Sequence, residues 1–241
     1  MSKLFIIIQA RMTSTRLPKK VLLPLCGKTV LEVMLERLEK WKDSIIIATT
    51  DDGSETPIVE LCERIRIPYF KGSTNDVLSR YYQTAKKFGA KKDDIIIRLT
   101  SDCPLIDASV LEKTLDFYKQ GHYDYVSNRR NQTFPIGLDV EVFSFGVLQE
   151  AHQKATTHYE KEHVTPYLYI SQKEHYKIGS YKDSSDNSKY RLTLDEEDDY
   201  TAIKEVYKQF NNQINFSYHD LIKMLKENPY IYEINQNIVQ K

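Results

Sequence analysis

A doubly wound, mostly parallel α/β sheet is the fold this sequence predicts, on three observations. Short β-branched apolar runs at 5–8, 44–50 and 94–99 suit strands buried on both faces. Segments with apolar residues at helical spacing lie between them, and alternation of this kind builds parallel sheets. No repeat, low-complexity tract or Pro/Gly/Ser linker breaks the order, so residues 1–241 read as a single domain.

The elements follow in chain order. Strand 5–8 opens into a stretch without hydrophobic periodicity that holds Arg11, Thr13, Ser14, Thr15, Arg16, Lys19 and Lys20, with Pro18 limiting its backbone. Residues 28–41 read as a helix, because Val30, Leu31, Met34, Leu35 and Leu38 recur at helical spacing, leaving Glu32, Glu36, Arg37 and Glu39 on the wet side. A buried strand at 44–50, a turn at 51–53, a helix at 57–66 and a short strand at 67–71 come next. The loop at 72–76 leads into a helix from 77 that Gly89 stops, before the strand at 94–99. The second half is less regular. It reads as helix 109–120, strand 123–127, a turn-rich approach at 134–138 and strand 139–143. Helices at 146–155 and 160–170 follow, then a strand at 175–181 and a polar loop at 183–188. A final strand at 190–194 precedes helices at 200–210 and 219–225, and the Asn/Gln-rich end at 235–241 is expected to fray.

Composition narrows the function. Lys+Arg and Asp+Glu are both 34, so wholesale binding to nucleic acid or an anionic membrane is not expected. A cationic loop on a neutral chain points instead to a small anionic ligand. No apolar run approaches the ~20 residues that span a bilayer, and the apolar start is too short for a secretory signal. Cys26, Cys62 and Cys103 have no metal-ligand spacing and cannot close as a disulfide set, so a reducing cytoplasm is the expected compartment.

The chemistry concentrates at strand ends. A buried strand opening into hydroxyls and cations is what a polyanion site needs, since loop amides, hydroxyls and guanidiniums donate to phosphate oxygens. The loop is no P-loop, because the G-x-x-x-x-G-K-[ST] pattern is absent. Asp102 sits just past the strand at 94–99 and Asp195 ends the one at 190–194. Two such carboxylates beside bound phosphates suit Mg²⁺, which favours hard oxygen ligands. Each also has a plainer reading: Asp102 as a turn residue and Asp195 as the N-cap of the next helix.

These patches resemble the CMP-sugar synthetases, the cytidylyltransferases that activate acidic sugars such as 3-deoxy-manno-octulosonate and nonulosonates. The likeness starts at Ala10-Arg11, Ser14-Thr15-Arg16-Leu17-Pro18 and Lys20. It sharpens toward the spore-coat polysaccharide biosynthesis (SpsF-like) branch at 72–82, 98–107, 137–143 and 162–167. Lys19 and Ser101 depart from it, each standing where the family usually has glycine. The resemblance implies a Rossmann-like, nucleotide-diphospho-sugar transferase (GT-A-like) architecture. It implies transfer of CMP from CTP to an acidic sugar with release of pyrophosphate, and Mg²⁺ held by Asp102 and Asp195.

Arg11, Lys20 and Asp102 are then the catalytic set. The nucleotide site adds Ala10, Ser14, Thr15, Arg16, Gly72, Asp76, Arg80 and Arg98. Gly137, Asp139, Glu141 and His163 are expected toward the sugar. Plainer readings stand beside several of these. Asp76 and Arg80 are spaced to pair at i, i+4, and His163 suits packing as well as a base. Cys103 reads as a small packed residue rather than a nucleophile. The resemblance further implies a homodimer joined within 135–175. Two alternatives keep the fold, a sugar 1-phosphate nucleotidyltransferase and a glycosyltransferase. A third, of another class, is a catalytically silent nucleotide-binding partner in a polysaccharide pathway.

Overall fold

Ile6, Ile7 and Ile8 all lie at 0% exposure, which places their strand in the middle of the sheet. Burying a side chain of this size contributes about 1.5–3 kcal/mol. The computed structural model describes residues 2–239. Its strands are β1 (Leu4–Gln9), β2 (Pro24–Leu25), β3 (Lys28–Thr29), β4 (Ile45–Thr50), β5 (Tyr69–Gly72), β6 (Ile95–Thr100), β7 (Tyr125–Ser127), β8 (Glu141–Ser144) and β9 (Ile178–Ser180). Its helices are α1 (Val30–Arg37), α2 (Thr56–Ile65), α3 (Val77–Lys87), α4 (Ala108–Gly121), α5 (Phe145–Lys154), α6 (His158–His163), α7 (Glu197–Gln209), α8 (Tyr218–Glu227) and α9 (Pro229–Asn235).

Seven strands form one sheet in the order β5-β4-β1-β6-β8-β7-β9. All pairings are parallel except those of β8, which runs against both β6 and β7. The mostly parallel sheet is therefore as the sequence predicts. Pleating sends Ile6 and Ile8 to one face, where they meet Leu31 and Met34 of α1, Leu61 of α2 and Leu111 of α4. Phe5 and Ile7 go to the other, under Leu78 and Tyr81 of α3 and Leu148 of α5. Strands wind outward from β1 to β5, then return to β6 on the far side of β1. The order reverses between β1 and β6, and open α/β sheets bind ligands at that reversal, beyond the strands' carboxyl ends.

Three local expectations are corrected. The helix predicted at 28–41 begins two residues later, because Lys28 and Thr29 pair with Pro24 and Leu25 across a Cys26-Gly27 turn in which both residues have positive φ. Thr29 and Glu32 then cap α1 reciprocally, and after Leu38 the chain tightens into a 3₁₀ stretch at Glu39–Ser44. The helix predicted at 160–170 is broken. Pro166 disfavours helical backbone before it, and Val164 turns at φ 73, ψ −57 while Thr165 N–H bonds the His163 carbonyl at 2.9 Å. The strand predicted at 190–194 joins no ladder. It makes one bridge, Ile136 to Arg191, and otherwise bonds loops.

The expectation of a frayed end also fails at its start: Asn235 closes α9 and is buried at 2% exposure. Residues 240 and 241 lie outside the described residues. The last three helices cover their own core, which joins Leu17 and Leu25 to Leu192 and Leu194.

Candidate active site

The loop after β1 is shaped by its own backbone. Ala10 N–H bonds the Ala48 carbonyl at 3.1 Å, and Lys19 N–H returns to the Met12 carbonyl at 3.1 Å. Lys19 has φ 60, the left-handed conformation that favours glycine, and its side chain points to solvent. The turn at Lys19 directs Lys20 inward, where it is 8% exposed. Lys20 Nζ donates to Asp102 Oδ2 at 2.8 Å and to Asp195 Oδ1 at 2.7 Å. Two aspartates far apart in sequence thus share one ammonium. Their backbones are joined as well, since Leu194 N–H bonds the Asp102 carbonyl at 2.7 Å.

Electrostatics follow from this triangle. Burial opposes charge on Lys20, but Asp102 and Asp195 outweigh it and hold the ammonium above the usual lysine range. Burial likewise works to raise the Asp102 carboxyl, and Lys20 overrides it, leaving that group at about 2. Arg16 reaches Asp195 Oδ2 and Glu196 Oε1, each at 3.2 Å. The plainer reading of Asp195 as a helix cap does not hold, because Glu196 and Asp199 supply the cap and the Asp195 carboxylate lines the cavity.

That cavity, of about 150 Å³, is lined by Ala10, Arg11, Ser14, Thr15, Arg16, Lys20, Arg80, Asp102 and Asp195. Arg80 is buried at 2% exposure, bonds the Ser73 carbonyl at 2.6 Å, and leaves Nε without a partner among the described residues. It makes no pair with Asp76, which caps α3 through Ser79 N–H at 2.7 Å. Neither Asp76 nor Gly72 lines the cavity. Gly72 supports it from behind, because a Cβ there would stand 2.9 Å from Phe70 Cε1 and 3.3 Å from Arg80 Cγ.

Gln9, Thr100, Asp102 and Asp195 also border a second cavity of about 450 Å³. Arg98 lies here rather than beside the loop, paired with Glu141 and donating to Gln9 Oε1 at 3.2 Å. Glu141 Oε1 accepts from Tyr125 at 2.6 Å and Thr165 at 2.7 Å. Burial would raise the Glu141 carboxyl, but Arg98 and these hydroxyls bring it below its usual range. Asp139 has weaker help: burial, with Glu141 and Asp102 near, pushes it up to about 6 against the pull of Arg129 at 4.0 Å. His163 packs against Tyr159 with the rings tilted by 54°, and burial holds its imidazole below the usual range.

Gly137 does not line this cavity; at φ 99 it lets the chain pass Leu192, whose carbonyl carbon a Cβ would meet at 2.5 Å. Cys103 is buried and its thiol is pushed well above the usual range by burial and Asp102, consistent with packing. A hollow of about 630 Å³ between Lys113, Asp183 and α8 shares none of these residues.

Sequence reasoning missed Gln9, Thr100, Tyr125, Arg129, Arg130 and Thr165. Thr165 lay inside a patch already singled out, and the Arg129-Arg130 doublet was visible. Tyr125 had no signal, because its role exists only once β7 pairs with β8.

The donor chemistry of the two aspartates fits a cation. Lys20 Nζ is itself a cation seated between two carboxylate oxygens, which is the hard-oxygen environment that suits a divalent ion completed by phosphates. Among the described residues no group of three or more His, Cys, Asp or Glu forms a ready metal cage.

Comparison with known proteins gives the family. The cytidylyltransferase family model matches residues 5–238. A cytidylyltransferase structure from Leptospira borgpetersenii serovar Hardjo-bovis is 38% identical with a TM-score of 0.90, over 100% of both chains. The spore coat polysaccharide biosynthesis protein SpsF of Bacillus subtilis is 32% identical over 95% of this chain and 96% of its own. A CMP:2-keto-3-deoxy-manno-octonic acid synthetase solved with CTP shares the fold, at TM-score 0.65 and 18% identity, over 87% of this chain and 100% of its own. The chain is a nucleotidyltransferase and belongs to the cytidylyltransferase family.

Proposed function

We propose that this enzyme transfers CMP from CTP to an acidic, nonulosonate-like sugar for surface polysaccharide or glycoconjugate synthesis, releasing pyrophosphate. The observation that carries the reading is the Lys20–Asp102–Asp195 triangle, set where a cationic loop cavity meets a larger one. The triphosphate takes the smaller cavity, against Arg11, Ser14, Thr15, Arg16 and Lys20. The sugar takes the larger, against Asp139, Glu141 and His163, with Arg129 and Arg130 at its wall to meet a carboxylate.

The sugar's anomeric oxygen forms a bond to the α-phosphorus as the bond to the β-phosphate oxygen breaks. Arg11, Arg16 and Lys20 neutralise charge on the departing pyrophosphate. Asp139 takes the hydroxyl proton, since a carboxylate titrating near neutrality is matched to that task. Asp102 and Asp195 would hold Mg²⁺, which when bound polarises phosphate oxygens and offsets their charge. No side chain needs to become covalently linked, in keeping with a site of cations and carboxylates.

Relatives' names support the substrate class: SpsF acts in spore coat polysaccharide biosynthesis, and 3-deoxy-manno-octulosonate cytidylyltransferases also match, at 27–31% identity over about half of the chain. No helix among the described residues is long and apolar enough to cross a membrane, which fits the cytoplasmic site where CTP is made. We place a homodimer interface within 135–175, where Tyr159 and Ile170 expose 53% and 54% of their surface. Sedimentation should give a dimer that Ile170→Asp weakens; a monomeric wild type removes the interface.

The function is tested by pyrophosphate release from CTP with acidic sugars, sugar 1-phosphates and no acceptor. Release with an acidic sugar alone is expected. Release only with a sugar 1-phosphate, or binding of CTP without turnover on any acceptor, would overturn the assignment.

A further inference from the structure

We infer that Asn235, Asp199 and Arg191 form a buried clamp that positions Asp195, making the C-terminal helix part of the support for the active site. The inference rests on the reading of Asp195 as a metal-facing carboxylate. Asp199 is at 0% exposure, and Arg191 grips it with two nitrogens, Nε to Oδ1 at 2.8 Å and Nη2 to Oδ2 at 2.9 Å. Asp199 Oδ2 also accepts the backbone N–H of Asp195 at 3.0 Å and of Glu196 at 3.1 Å. Arg191 Nη2 then reaches the Asp195 carboxylate itself, at 3.4 Å from Oδ2. Asp195 is therefore fixed at its main chain by Asp199 and at its side chain by Arg191.

Asn235 ties this arrangement to α9. At 2% exposure, its Nδ2 donates to Asp199 Oδ1 at 2.9 Å and to the Arg191 carbonyl at 3.0 Å. Helix capping accounts for the backbone bonds to Asp199. It does not account for a buried guanidinium and a buried amide from another helix on the same carboxylate, nor for that guanidinium's reach to Asp195. A carboxylate satisfied on both oxygens is rigid, and a rigid partner fixes the direction of the group it holds. Outer partners of this kind change metal affinity by about 10–100-fold when removed. Asn235 is thus a positioning residue, acting through Asp199 and Arg191 on the one active-site carboxylate contributed by the chain's last third.

Calorimetry of CTP binding in EDTA and in Mg²⁺ reads the effect as a ratio of affinities. In the wild type Mg²⁺ is expected to tighten CTP, and Asp195→Asn to remove that gain. Asn235→Leu is expected to cut the gain about tenfold while leaving affinity in EDTA unchanged. Arg191→Lys, which keeps the charge but loses the fork, is expected to do the same and stands in if the leucine variant does not fold. A purely structural role would lower the melting temperature without moving the ratio. If Asp195→Asn removes the gain while folded Asn235→Leu or Arg191→Lys keeps it, the clamp alone is overturned. If the wild type shows no gain, or Asp195→Asn keeps it, the metal reading fails and the clamp falls with it.

Discussion

Lys20 in the smaller cavity and Arg98 in the larger are both largely buried cations beside carboxylates, yet their partners differ. Lys20 is shared between Asp102 and Asp195, two groups that also face open space and that come from separate loops. Arg98 meets Glu141, which already accepts from Tyr125 and Thr165 and sits on the neighbouring strand. In the first cavity the paired charges line an open hollow. In the second the charge is closed on itself and fixes the shape of the wall. Binding and reaction of CTP are therefore expected to depend on the first set, and stability on both.

The sharpest break of that contrast is Lys20→Ala. Without its ammonium Asp102 loses its cation while Asp195 keeps Arg16 and Arg191, which should destabilise the protein by about 3 kcal/mol, and turnover should fall by roughly 10²–10³-fold. Added Mg²⁺ should recover part of the melting temperature in this variant, read by thermal shift. No recovery would mean that the carboxylates do not accept a cation there. Glu141→Gln should cost about 3–4 kcal/mol in denaturant unfolding, since Arg98 loses its counter-charge in a poorly hydrated place. CTP affinity should stay near that of the wild type; a large loss would erase the distinction between the cavities.

Asp139→Asn tests a carboxylate of the larger cavity that lies outside both the Lys20 and the Arg98 sets. Its native pKa, at about 6, is above the ordinary 3.8, so the native state binds the extra proton and ionising Asp139 opposes folding. The variant should gain about 2–3 kcal/mol over the wild type at pH 8. That gain should shrink as pH falls through 6 and vanish below the unfolded value, while turnover drops roughly 10²-fold. Melting curves at several pH values check the first part and pyrophosphate release the second; a pH-independent difference would contradict the shift. The smallest effect belongs to Arg16→Lys, whose partners are partly exposed, at about 0.5 kcal/mol or less in stability.

The same contrast explains what the sequence disclosed. The central strands were legible because a double-sided burial requires unbroken apolar runs, as in Ile45–Thr50 and Ile95–Thr100. The smaller cavity was legible because most of its groups sit in one loop and at two strand ends. The larger cavity was only half visible. Arg98 was assigned to the nucleotide because its partner lies on an antiparallel strand 43 residues away. Thr165 was hidden by reading through the break at Val164 and Pro166 as helix. Capping stood as an alternative for Asp195 because the true cap, Glu196 with Asp199, begins one residue later, within an acidic run where several candidates compete.

Pyrophosphate release from CTP, measured for Asp102→Asn and Asp195→Asn at controlled Mg²⁺, tests most directly whether the shared aspartates are the reactive centre. Each variant is predicted to keep its circular dichroism spectrum and lose roughly 10³-fold in turnover. Turnover at the wild-type rate in both would contradict the account.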